Sequence, residues 1–149
     1  MQNSSNQRSV RLFLTLPLLF GILGLFLVIP SYTQTSLPQP GSRITFPQAQ
    51  AILEANPEAL LIDVRTQGEF DAGYIPGALL LPNTSINRQT AGQVIPTLYT
   101  PVVIYCRSGA RSAQATQALL SLGYTRIYDL GPITAWRGTL ATNTSSSRN

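Results

Sequence analysis

Two short apolar runs, Ala59-Leu60-Leu61-Ile62 and Val102-Val103-Ile104-Tyr105, constrain the fold of this chain more than any other feature. Neither alternates with polar residues, as a strand with one wet face would, so both belong to a sheet covered on both sides. The first closes on Asp63, and the second, β-branched and aromatic, passes directly into Cys106. Helical patterns surround them. Thr45 is placed to cap a helix with Pro47 in its first turn and Ala49, Ile52 and Leu53 on one face, ending near Asn56-Pro57. Ile44-Thr45-Phe46 reads as a short strand or as the lead-in to that helix. Thr66 to Phe70 can form one helical turn before Gly73, Ile75-Pro76-Gly77 a turn, and Ala78 to Leu81 a short apolar strand stopped by Pro82. Residues 83–100 carry no readable pattern. Ser112 to Leu122 has Ala115, Leu119 and Leu122 at helical spacing, with Gly123 as a stop. Arg126-Ile127-Tyr128 is a last strand, Gly131-Pro132 a turn, and Ile133 to Trp136 a short closing helix. Strands alternating with helices predict an α/β fold with a mostly parallel sheet flanked by helices.

This domain is expected over residues 42–140, and it does not account for the start of the chain. After a basic flank at 1–11, with Arg8 and Arg11, residues 12–29 hold no charge. As a helix that stretch would reach about 27 Å, close to the hydrocarbon thickness of a bilayer. It reads as a transmembrane anchor or a signal helix; Pro17 and the pair Gly21/Gly24 weaken the helix, which keeps a cleaved signal and secretion open as the alternative. Positive charge ahead of the segment predicts a single pass with the C-terminal domain on the non-cytoplasmic side. Residues 30–41, rich in Ser, Thr, Gln and Pro, read as a linker, and 141–149 as a disordered tail.

Composition removes several function classes. All ten basic residues are arginine and His is absent, so no His-based triad or His metal ligand is available. A single Cys makes neither an internal disulfide nor a Cys-rich zinc site. No metal or cofactor is expected. The net charge of +4 is spread along the chain without a basic stripe, and no nucleic-acid partner is expected.

Cys106 stands at the carboxyl end of a predicted parallel strand, just before a helix, where open α/β sheets place their ligand sites. A loop curling from strand into helix turns successive N–H groups inward and stabilises an anion, here the thiolate. Gly109 permits the turn, Ser108 offers a hydroxyl, and Arg107 and Arg111 bring positive charge. The alternative is a buried structural cysteine flanked by solvated arginines. An inert buried thiol suits an apolar neighbourhood, whereas this loop is polar and cationic.

The run Cys106-Arg107-Ser108-Gly109-Ala110-Arg111-Ser112 resembles the active-site loop of rhodanese-like sulfurtransferases. Three further stretches agree in order: Leu61-Ile62-Asp63-Val64-Arg65 with Glu69-Phe70; Gly73-Tyr74-Ile75-Pro76-Gly77-Ala78; and Leu122-Gly123-Tyr124 leading to Tyr128-Asp129-Leu130-Gly131 and Ala135-Trp136. The resemblance implies a five-stranded parallel sheet and a catalytic Cys106 that takes a sulfane sulfur from a donor such as thiosulfate, holds it as a persulfide and passes it to a thiol, a protein acceptor or cyanide. It implies that residues Arg107, Ser108, Gly109, Ala110 and Arg111 cradle the donor anion, and that Asp63 and Arg65 brace the loop and the sheet end. The family often has His at the place of Tyr74 and a glycine pair at Gly131-Pro132. Two other functions compete. A cysteine phosphatase loop places five residues between Cys and Arg, against four here, and a membrane-tethered binding or scaffold module would keep the fold without turnover.

Overall fold

The computed structural model describes residues 38–143, which fall in the second of two units, Thr35–Asn149. The expected membrane or signal segment at 12–29, its basic flank, most of the linker and the end of the tail lie outside the described residues. Among the described residues, no helix is long and apolar enough to cross a membrane.

Four parallel strands form one sheet in the order β2-β1-β3-β4: β1 (Leu60–Asp63), β2 (Leu79–Leu80), β3 (Val102–Cys106) and β4 (Ile127–Pro132). Helices α1 (Phe46–Ala55), α2 (Gln67–Ala72), α3 (Arg88–Val94) and α4 (Ala110–Ser121) connect and cover them. The side chains of β3 explain its unbroken apolar run. Val102, Ile104 and Cys106 enter one core with Ile62, Ala91, Ile95, Ala115 and Leu119, while Val103 and Tyr105 enter another with Ile44, Ala49, Ile52, Leu61 and Phe70. Successive residues of a strand point to opposite faces, so a central strand between two helical layers needs apolar residues at every position.

Among the described residues the sheet has four strands where five were expected. Arg43 makes one parallel bridge to Asp129, flanked by bonds from Ile44 N–H to Asp129 O at 2.8 Å and from Asp129 N–H to Ser42 O at 3.1 Å. The pairing stops there because Thr45, two residues on, is already the cap of α1, where its N–H donates to the Gln48 side chain at 2.9 Å. Gly131-Pro132, expected as a turn, lies inside β4: Ile104 pairs with Asp129 but Tyr105 pairs with Gly131, so Leu130 is an extra residue that bulges the strand. The unreadable stretch 83–100 contains α3, capped by Asn87, whose side chain accepts from the N–H groups of Gln89 and Thr90. At the far end Ala141 bridges to Tyr74 and Asn143 N–H donates to Asp71 O at 3.2 Å, so the chain stays bonded past residue 141.

Candidate active site

Strand β3 ends on Cys106, and α4 begins four residues later, at Ala110. The loop is therefore shorter than expected, with Ala110 and Arg111 already in the first helical turn. Gly109 makes the reversal with φ of +95°, in the left-handed region that other residues avoid. A side chain there would also collide, since its Cβ would stand 2.9 Å from Arg43 Nη1. The turn aims the Gly109 N–H at Cys106 Sγ, 3.0 Å away. The thiol donates to Ser112 Oγ at 3.6 Å, and the Ser112 hydroxyl donates to Gly109 O at 3.1 Å.

Cys106 is fully buried. Burial pushes the thiol up, but hydrogen bonding with the Ser112 side chain and with the backbone of Ser112, Gly109 and Ser108 outweighs it and brings the thiol below its ordinary value. The leading causes are thus hydrogen bonds at a helix N-terminus, where the sequence had pointed equally to the charges of Arg107 and Arg111.

The arginines divide in their surroundings. Arg111 is taken by Glu69, with Nη1 to Oε2 and Nη2 to Oε1 both at 2.7 Å, and this guanidinium holds the Glu69 carboxyl well below the usual carboxylate range. Glu69 was not singled out as a site residue from the sequence. The signal was there in the capping box Thr66-x-x-Glu69, which starts α2 and turns the carboxylate back to the Thr66 N–H at 3.1 Å. Arg107, Ser108 and Ala110 are exposed. Arg107 shares a cleft of about 430 Å³ with Arg65, Glu69, Ala72, Ile133 and Thr134. Cys106 does not itself line that cleft.

Asp63 and Arg65 are both buried and grip each other, with Arg65 Nε 3.0 Å from Asp63 Oδ1 and Nη2 2.6 Å from Oδ2. Arg65 Nη2 also donates to Gly73 O at 2.6 Å. Its guanidinium carbon lies 5.7 Å from the centre of the Tyr105 ring, whose phenol oxygen accepts the Ile75 N–H at 3.1 Å. This pair ties the end of β1 to the turn after α2 and presents Arg65 to the cleft. Among the described residues, no group of three or more His, Cys, Asp or Glu could hold a metal ion.

A glycine-turned Cys loop at the carboxyl edge of a parallel sheet narrows the choice of family, and the rhodanese-like domain model matches residues 45–139. The chain belongs to the rhodanese-like family. A sulfurtransferase of Allochromatium vinosum is 48% identical over 80 residues, which are 53% of this chain and 72% of that protein. A thiosulfate sulfurtransferase of Tolumonas auensis is 35% identical over 97 residues, 64% of this chain and 88% of that one. Among solved structures, a human single-domain sulfurtransferase superposes with a TM-score of 0.52 at 32% identity, covering 67% of this chain and 94% of its own. This rhodanese-like domain accommodates both departures from the family pattern. Tyr74 stacks on Phe70 with ring centres 4.2 Å apart and planes 11° from parallel. Pro132 pairs with Cys106 at the end of β4 and leads into the 3₁₀ turn Ile133–Ala135.

Proposed function

We propose that this chain is a sulfurtransferase that moves a sulfane sulfur from an anionic donor such as thiosulfate to a thiol or cyanide acceptor through a persulfide on Cys106. The observation that carries the reading is the environment of Sγ, which meets the Gly109 N–H at 3.0 Å and the Ser112 hydroxyl at 3.6 Å in front of α4. The Gly109 N–H donates to Sγ and stabilises the charge of the thiolate that attacks; once the persulfide forms, that charge moves to the terminal sulfur, one bond beyond Sγ.

In the first step the Cys106 thiolate attacks the outer sulfur of thiosulfate. A new S–S bond forms, the donor's own S–S bond breaks, and sulfite leaves with the bonding pair. In the second step the acceptor thiolate or cyanide attacks the terminal sulfur, and Cys106 leaves as thiolate with the electron pair of the bond it loses. Arg107, exposed at the wall of the cleft, supplies positive charge to an approaching dianion, whereas the charge of Arg65 is taken up by Asp63. Because Cys106 is fully buried, the exposed residues Arg107, Ser108 and Ala110 must yield room for the donor.

The uncharged stretch at 12–29 supports a further part of the same reading: the domain is held at a membrane, on its non-cytoplasmic side. Protease protection of a C-terminal tag in sealed vesicles tests the side, and digestion of the tag in vesicles of cytoplasmic-side-in orientation is the expected result.

The activity itself is tested by incubating the full chain with thiosulfate and measuring its intact mass. A gain of one sulfur, about 32 Da, that disappears in Cys106→Ala is expected. Absence of any adduct with several sulfane donors overturns the sulfur-transfer reading and favours a binding module.

A further inference from the structure

Arg43 lies outside the Cys106 loop, 66 residues before Gly109 in sequence, yet its Nη2 donates to Gly109 O at 3.2 Å. Its Nε donates to Asp129 Oδ2 at 2.9 Å, and Nη2 lies 2.9 Å from the same oxygen. Asp129 is buried, with Oδ1 unpartnered among the described residues, so Arg43 is its counter-ion and is held in place by it. Two glycines make room for the guanidinium: a Cβ on Gly109 or on Gly131 would run into it.

Three donors converge on the Gly109 carbonyl. They are Arg43 Nη2 at 3.2 Å, the Ala113 N–H at 3.3 Å and the Ser112 hydroxyl at 3.1 Å. A carbonyl oxygen offers two lone pairs. With Arg43 and Ala113 in place, the Ser112 hydroxyl is surplus. That matters when Cys106 loses its proton to solvent, because the thiolate then has no hydrogen to give Ser112 Oγ and needs one from it. A hydroxyl rotates between acceptors at least cost when the carbonyl it leaves keeps both lone pairs filled, which here takes Arg43 as well as the Ala113 N–H.

We propose that Arg43 is a positioning residue for Cys106: by occupying the Gly109 carbonyl it releases the Ser112 hydroxyl to turn from that oxygen to the sulfur when the thiolate forms. This deepens the sulfur-transfer reading and rests on Cys106 being the nucleophile. Other charges surround the loop and contribute alongside: Glu69 from α2, Asp63 and Arg65 from the end of β1, Arg107 and Arg111 from the loop and α4, and Asp129 from β4. The Arg43 contribution is separable from theirs because it passes through Ser112.

The experiment is a pH profile of iodoacetamide alkylation of Cys106 in the full chain. Arg43→Lys keeps a counter-ion for Asp129 but lacks the planar fork that reaches two partners. It is expected to raise the alkylation midpoint by about half to one pH unit, a roughly 3- to 10-fold lower rate at a fixed pH below the midpoint. In a Ser112→Ala background the same substitution is expected to shift nothing. The double variant Arg43→Ala/Asp129→Asn, which removes both charges and leaves no unpaired buried carboxylate, is expected to repeat the result. An unchanged midpoint in both variants overturns the proposal, as does a shift that persists without Ser112. Alkylation reads the thiolate alone, so a missing sulfur adduct on the same samples counts against sulfur transfer and not against the role of Arg43.

Discussion

Glu69 and Arg111, 42 residues apart in sequence, are joined by two parallel hydrogen bonds of 2.7 Å each. The pair fastens the start of α4, and with it the Cys106 loop, to α2. It also means that the positive charge nearest the end of the loop is largely neutralised before any donor arrives.

Removing one partner at a time should therefore move the thiol in opposite directions. Arg111→Ala leaves the Glu69 carboxylate uncompensated near the sulfur and is expected to raise the alkylation midpoint of Cys106. Glu69→Gln unmasks the guanidinium and is expected to lower it. Because both side chains are partly exposed, each change should cost only about 0.5–1 kcal/mol of stability, read by urea denaturation. Shifts of the same sign in both variants would show that the pair acts on the loop by geometry and not by charge.

The lowered thiol value of Cys106 links stability to pH. A group whose folded value lies below its unfolded value stabilises the fold fully above the unfolded value, about 8.5 for a thiol, and that contribution fades as pH falls through the folded value. The difference in unfolding free energy between the native chain and Cys106→Ala should accordingly grow in favour of the native chain from neutral pH to about pH 9. Parallel stability curves across that range would mean that the folded thiol is not depressed.

At Gly131 the backbone has φ of +87°, and a Cβ would run into the Arg43 guanidinium. Gly131→Ala is expected to cost about 1–3 kcal/mol by thermal unfolding and, by displacing Arg43, to raise the alkylation midpoint as well. A stable variant with an unaltered midpoint would show that Arg43 moves aside without consequence for the loop.

The phenol of Tyr105 is buried and accepts the Ile75 N–H at 3.1 Å. Tyr105→Phe strands that N–H and should lower stability by about 1–3 kcal/mol, measured by denaturant melts. Sulfur loading of Cys106 should survive, because the phenol serves the opposite core from the one that holds the thiol.

Patterns short enough to be read along the chain were legible. The apolar runs of β1 and β3 need no partner to declare that both of their faces are covered, and Cys106 with Gly109 and the helix behind it declares an anion-stabilising turn through local backbone geometry. Helix α3 was missed because its seven residues carry no apolar stripe, although Asn87 and Thr90 form a cap that could have marked its start. The fifth strand was expected from resemblance, and here the capping of α1 by Thr45 leaves room for a single bridge at Arg43.

The sequence by itself determined the parallel α/β architecture and the placing of its single thiol, Cys106, at a strand-to-helix turn, because hydrophobic period and turn chemistry act over a few residues. Only the tertiary structure decided how the charges are shared. Arg111 is spoken for by Glu69, and Arg43 reaches Asp129 and Gly109 across 86 and 66 residues. Such pairings depend on which strand edge and which helix end the fold brings together, and no local pattern encodes a hydrogen bond between segments so far apart.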